Sequence, residues 1–178
     1  MTEIENKINN LLNLTQKYVV ALSGGVDSSV LLHIVHSYTP NVRSVFVNHN
    51  QKDSDKLQKS AESIAKDLEI DHLNVDTQLD SDISETKMRE ERYKALFNNI
   101  KEDEILLLGH HNDDKVETFM INLFRGTRLK GLLSIKQETT SILRPLIDIK
   151  KSSIIKYAHD KKIKYIEDST NKDSSILR

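Results

Sequence analysis

Residues 18–35 read YVVALSGGVDSSVLLHIV, an apolar run, a turn of small polar residues, then a second apolar run. A chain has this form when a buried strand turns sharply into a helix whose first amides face something negative. Gly24 and Gly25 let the backbone approach a ligand closely and take positive φ where the turn requires it. Ser23 and Ser28 add hydroxyl donors to the amides around residues 25–29, Val26 among them, with the helix dipole behind. Asp27 is the odd member, because a carboxylate beside phosphates repels them unless a cation intervenes; a Mg²⁺ bridge held by Asp27 resolves this. The same residues also fit a plain helix cap with Ser23 or Asp27 as the capping side chain. No Gly-Lys-Ser/Thr follows the turn, so the usual mononucleotide-binding loop is excluded.

Outward from this turn, apolar and amphipathic stretches alternate. Strand-like runs lie at 18–22, 42–49, 72–75, 104–111 and 141–147. Helical spacing marks 3–14, the segment after the glycines, 55–68, 86–100, 114–125 and 150–162. In 114–125 one face carries Val116, Phe119, Met120, Leu123 and Phe124, and Gly126 stops the helix. The alternation predicts an α/β fold, a doubly wound, mostly parallel sheet of five strands. The 18–22 strand should be central, between 42–48 and 104–109, so that both polar clusters meet at one sheet edge.

Composition narrows the classes. The 178 residues suit one domain with a sizeable core, and 30% charged with 37% hydrophobic residues is ordinary for a soluble protein. No apolar run approaches the roughly 20 residues that span a bilayer, and the acidic, amphipathic N-terminus is no signal peptide, so a cytoplasmic setting is expected. Zero cysteines exclude disulfides, thiolate metal sites and persulfide chemistry carried by this chain. The net charge of −1 argues against gripping nucleic acid by charge alone, though a local basic edge could still touch RNA.

A second constellation lies in LLLGHHNDDKVETFMINLFRGTRLKGL (106–132). It sets Asp113, Asp114 and Glu117 on one turn at a helix start after a strand, where they could hold a second Mg²⁺ or an ammonium group. Asp114 and Glu117 also fit a D-x-x-E capping box. His110 and His111 are open to three readings, metal ligands, acid/base groups or packing; without cysteine or HExxH spacing, polar contact is favoured over zinc.

SGGVDSS resembles the SGGxDS signature of the PP-loop, or N-type, ATP pyrophosphatases, which have an adenine nucleotide alpha hydrolase-like fold. That signature names a reaction, cleavage of ATP between the α and β phosphates, and no substrate. The 106–132 block is similar to the GHHxDDQxET…RG(S/T)GLKGL stretch of the tRNA(Ile)-lysidine synthetases. ETKMREERYKAL (85–96) resembles a further block of that family, with Glu85, Arg89, Arg92 and Tyr93 in register. The stretch from LRPLI to the end resembles another, with Arg144, Pro145, Glu167, Asp168, Ser169, Asn171, Asp173 and Arg178 in register. Lys115 and Arg128 depart from the family's usual Gln and Gly.

The resemblance implies one PP-loop ATP-binding catalytic domain over 1–178, with the family's C-terminal tRNA-binding domains absent from this chain. It implies ATP with Mg²⁺ as the nucleotide, and ATP contacts at Ser23, Gly24, Gly25, Val26, Asp27 and Ser28. L-lysine would join C2 of the wobble cytidine of tRNA(Ile) with a CAU anticodon, through an adenylated base, releasing pyrophosphate and AMP. Catalytic roles are expected for Asp27, Asp113, Asp114, Glu117 and Arg92, with His110, Asp113, Asp114 and Glu117 as lysine-binding candidates. Arg92 is the candidate for phosphate or adenylate charge, and Arg125, Arg128 and Lys130 for RNA contact. Weak tRNA binding by this chain alone is expected, and a homodimer is kept open. The alternatives are an amide-forming synthetase such as NAD synthetase, another tRNA-modifying PP-loop enzyme, or a non-catalytic ATP-binding domain. The first gives no reason for GHHNDDKVET, and a nucleotide sensor gives none for a second set of carboxylates.

Overall fold

A computed structural model describes residues 1–49, 54–77, 84–126 and 135–166. Its elements run α1 (Glu3–Asn9), β1 (Lys17–Ala21), α2 (Val26–Tyr38), β2 (Val42–Asn48), α3 (Ser54–Asp67), β3 (His72–Asp76) and α4 (Glu85–Asn98). They continue with β4 (Glu104–Leu107), α5 (Asn112–Phe124), β5 (Glu138–Thr139), β6 (Ile142–Leu143) and α6 (Lys151–Asp160).

The sheet order is β3-β2-β1-β4-β6-β5, parallel throughout except for β5, which pairs antiparallel with β6. β1 is central as expected, with Tyr18 opposite both Val42 and Ile105. The expected five parallel strands are present; the sixth is a two-residue polar edge strand, Glu138–Thr139, with no apolar alternation to reveal it.

β1 is buried on both faces, which is why KYVVA reads as a continuous apolar run. Tyr18, Val20 and Leu22 point into the larger core, against α1, α2, α3 and α6. Val19 faces the smaller one, with Val45, Leu106, Leu108 and Leu96 of α4. α2 is buried nearly all round, through Val26, Val30, Leu31, Leu32, Ile34 and Val35. α1 is set by a reciprocal cap: Thr2 Oγ1 accepts from the Glu5 amide and Glu5 Oε2 from the Thr2 amide. It ends at Asn9 rather than near residue 14, and Tyr157 of α6 anchors it by donating its hydroxyl to Glu5 Oε1 at 2.7 Å.

α5 departs from the amphipathic reading. None of its residues is buried, and Val116, Phe119, Met120, Leu123 and Phe124 are all exposed, Phe124 at 76%. Among the described residues no helix is long and apolar enough to cross a membrane.

Candidate functional site

Strand order reverses between β1 and β4, since β1 leads away to β2 on one side and is met by β4 on the other. The two polar clusters leave the carboxyl ends of those neighbouring strands and open onto one cavity of about 600 Å³. Ser23, Asp27 and Ser28 line it from the glycine loop, Gly109, His110 and Asp114 from the β4 side, and Arg89, Arg92 and Tyr93 from α4.

The loop's shape follows from its glycines. Gly24 sits at φ +79°, and a Cβ there would stand 2.7 Å from the Leu57 carbonyl oxygen of α3. Gly25 is the N-cap of α2 and no side chain caps the helix, so the capping reading for Ser23 or Asp27 does not hold. The hydroxyls of Ser28 and Ser29 instead donate to the Gly25 carbonyl at 3.1 and 2.8 Å, and Ser23 Oγ meets Ser28 Oγ at 3.0 Å. The first-turn amides of α2 are left for a ligand. Val26 is buried, so its contribution to a ligand is limited to its backbone. Gly109 closes the β4 side, because a Cβ there would press within 3.2 Å of the Ser28 amide.

Asp27 is not a free carboxylate at the mouth of the loop. Its Oδ2 accepts from Lys151 Nζ, at the start of α6, at 2.5 Å. Its Oδ1 is buried without a hydrogen-bond partner, 3.7 Å from His111 Nε2. Lys150 and Lys156 of the same segment are exposed, unlike Lys151. The fold turns this one inward.

The acidic cluster does not converge. α5 starts at Asn112, so the N-cap is His111 and Asp114 is the third helical residue, with Oδ2 accepting from the His111 amide at 2.7 Å. The D-x-x-E capping box between Asp114 and Glu117 is therefore displaced by a cap one turn earlier. Asp113 and Glu117, four apart on one helical face, are exposed and outside the cavity lining, while Asp114 is turned toward the cavity. Among the described residues no three metal-ligating side chains gather, so a second metal held by these three acids has no geometric support.

The two histidines take different environments. His111 is buried, its ring nitrogens 3.7 Å from Asp27 Oδ1 and 3.5 Å from Asp114 Oδ2, so it sits between the two clusters. His110 lines the cavity, and its Nδ1 accepts from Arg144 Nε at 3.3 Å. Burial, reinforced by Arg144, Arg92 and Arg89, pushes its pKa down to about 3. Arg92 lies on the cavity wall. Arg125 caps the exposed end of α5, away from the lining, while Arg128 and Lys130 lie outside the described residues.

Gly109, Arg144 and Lys151 carry the site without having drawn a role from their local pattern. Arg144 had a signal, an arginine inside the apolar run ILRPLI. Lys151 had none, being 124 residues from its partner.

A glycine loop without a Walker lysine, at the switch point of a parallel sheet and facing a basic wall, defines a nucleotide-handling α/β domain. The sequence profile described as the PP-loop domain matches residues 1–178, and the chain belongs to that family. Curated relatives include the tRNA(Ile)-lysidine synthase of Actinobacillus pleuropneumoniae, 34% identical over 169 residues, covering 92% of this chain and 40% of the relative. That of Hydrogenovibrio crunogenus is 30% identical over 194 residues, covering 99% and 46%. The chain thus spans less than half the length of these relatives. Among solved structures, the NH₃-dependent NAD synthetase of Campylobacter jejuni is similar at a TM-score of 0.61 and 14% identity, covering 90% of this chain and 73% of that one. That is a likeness of fold.

Proposed function

We propose that the chain is the ATP-dependent catalytic part of a lysidine-forming ligase, joining L-lysine to C2 of the wobble cytidine of a tRNA(Ile) with a CAU anticodon. The observation that carries this reading is the single cavity shared by the glycine loop, Asp114 and the α4 arginines. It is joined by the lysidine synthase names of relatives that cover nearly all of this chain.

In the first step, the cytosine O2 attacks the α-phosphorus of ATP and pyrophosphate leaves. The loop amides of residues 25–28 and the Ser23 and Ser28 hydroxyls hold the departing β and γ phosphates. Arg92 faces the charge that remains on the adenylated base. In the second step, the lysine side-chain amine attacks C2 and AMP leaves. The amine arrives protonated and must lose a proton to attack; Asp114 draws the ammonium in by charge and accepts that proton. Asp113 and Glu117, exposed and outside the lining, add negative potential for lysine entry rather than contact with the reacting atoms.

A cation fits at Asp27. Its orphaned, buried Oδ1 is one carboxylate oxygen without a partner, and Mg²⁺ is commonly held by one or two carboxylates together with substrate phosphates. When bound, Mg²⁺ neutralises triphosphate charge in the transition state. Lys151 keeps the other Asp27 oxygen in place.

The test is pyrophosphate release from MgATP by the full chain, with and without lysine and a CAU-anticodon tRNA transcript, followed by mass spectrometry of the anticodon nucleosides. Release that needs the tRNA, with lysidine in the digest, is expected, and Asp27→Ala should abolish it. Release with no RNA and an amide product from another acceptor would overturn the reading. A chain that binds ATP and never releases pyrophosphate would be a non-catalytic domain.

A further inference from the structure

The cavity wall that α4 forms carries positive charge that, among the described residues, no carboxylate pairs with. Arg144, just after β6, is only 7% exposed. Its Nε donates to His110 Nδ1 at 3.3 Å, its Nη1 to the Lys136 carbonyl at 3.0 Å and its Nη2 to the Tyr93 hydroxyl at 3.3 Å. All three acceptors are neutral. Arg89 lies 5.9 Å from the centroid of the Tyr93 ring, and Arg92 lines the same wall. Among the described residues, none of these three guanidiniums makes an ion pair with a carboxylate. Burying a guanidinium against neutral acceptors alone is unfavourable, so packing does not account for Arg144.

The contact with His110 does account for it. A guanidinium only donates, so His110 Nδ1 must be the accepting nitrogen and the ring's single proton lies on Nε2. Arg89, Arg92 and Arg144 together oppose a second proton on that ring. Nε2 has no partner among the described residues, and the ring lines the cavity.

We infer that Arg144 is a positioning residue that locks His110 as the neutral Nε2–H tautomer, making it a fixed hydrogen-bond donor to an anionic substrate oxygen held against Arg89 and Arg92. Of the readings that the sequence leaves open for His110, this one excludes a metal ligand and a general base. Nδ1 is occupied by Arg144, so the ring is no general base through that atom, and Nε2 carries a proton, so it is no metal ligand. The identity of the ligand rests on the proposed function, whereas the tautomer does not. Two substrates of that reaction bring anionic oxygens, the nucleotide through its phosphates and lysine through its carboxylate.

The experiment is ¹⁵N-histidine NMR on the full chain near neutral pH, with the His110 ring assigned by its loss in His110→Gln. The expected spectrum has Nδ1 unprotonated and Nε2 protonated, and Arg144→Gln should convert this single tautomer into a mixture. MgATP and L-lysine are then titrated separately. A downfield shift of the Nε2 proton with MgATP assigns the donor to a phosphoryl oxygen; a shift with lysine alone assigns it to the carboxylate. An Nδ1-protonated ring, an imidazolium, or a resonance unmoved while other signals report saturation by both ligands overturns the inference. Failure to bind either ligand refutes the proposed function and leaves the tautomer result standing. As a rescue test, apparent affinity for whichever of MgATP and L-lysine shifts the Nε2 proton should fall about 10- to 100-fold in His110→Ala, the range for losing a donor to a charged group, and markedly less in His110→Gln, which keeps an N–H donor. Equal losses in the two variants would count against a donor role.

Discussion

α2 and α5 begin in the same way and end differently. Each leaves the carboxyl end of a central strand, and each places a carboxylate, Asp27 or Asp114, in one cavity. α2 then runs through the core, with Leu31 and Leu32 fully buried, whereas α5 buries no residue at all. Its first turn is nevertheless tied in, by the Asp114 cap on the His111 amide and by Lys115 Nζ on Asp148 at 2.8 Å. The glycine loop is thus a floor cast into the core, while α5 is tied in at its first turn. Under the proposed function, the buried side would grip the leaving group and the exposed side would admit the amino acid.

Substitution along the two helices tests this most directly. Leu32→Ala should cost about 2–5 kcal/mol of stability in urea denaturation, and Leu123→Ala on α5 no more than about 0.5 kcal/mol. Comparable losses would mean that α5 is covered in solution. Next come two glycines with positive φ. Gly24→Ala combines strain with a backbone clash and should weaken MgATP binding about a hundredfold, or about 3 kcal/mol, by calorimetry. Gly126→Ala, with nothing among the described residues within 4 Å of the added carbon, should cost about 1–2 kcal/mol of stability and leave MgATP affinity alone.

Within α5, Asp114→Asn should lower lysine-dependent turnover at least about tenfold, while Glu117→Gln stays within about threefold. The reverse order would move lysine placement to the exposed face. The smallest effect is a slope. The folded state holds His110 near 3 against an ordinary value of about 6.5, so the unfolded chain takes up this proton first as pH falls. Stability from this group is complete above about pH 6.5 and declines toward pH 3 by at most about 1.4 kcal/mol per unit. His110→Gln should remove that component from denaturation midpoints measured between pH 6.5 and 5.5.

The strands were legible because β-branched runs such as YVVA and VRSVFV are buried on both faces. The glycine loop was legible because a turn of that composition has few uses. The helix at 112–124 was found, but its environment was not. Periodicity says that a face is apolar and is silent on what, if anything, covers it. Its start was misplaced because His111 takes the N-cap position, where Ser, Thr, Asp or Asn is the usual signal. Contacts such as Lys151 with Asp27, or Arg144 with His110 and Tyr93, join residues far apart in the chain, which no local spacing encodes.

One bond made after the last helix offers a built-in gauge. The amide of Ile166 donates to the Gly24 carbonyl at 2.9 Å, joining the segment that follows α6 to the residue on which the loop turns. The exchange of that single proton with deuterated solvent therefore times the opening of the loop. Slowing of the Ile166 signal on adding MgATP would read nucleotide capture directly, from a residue outside the loop.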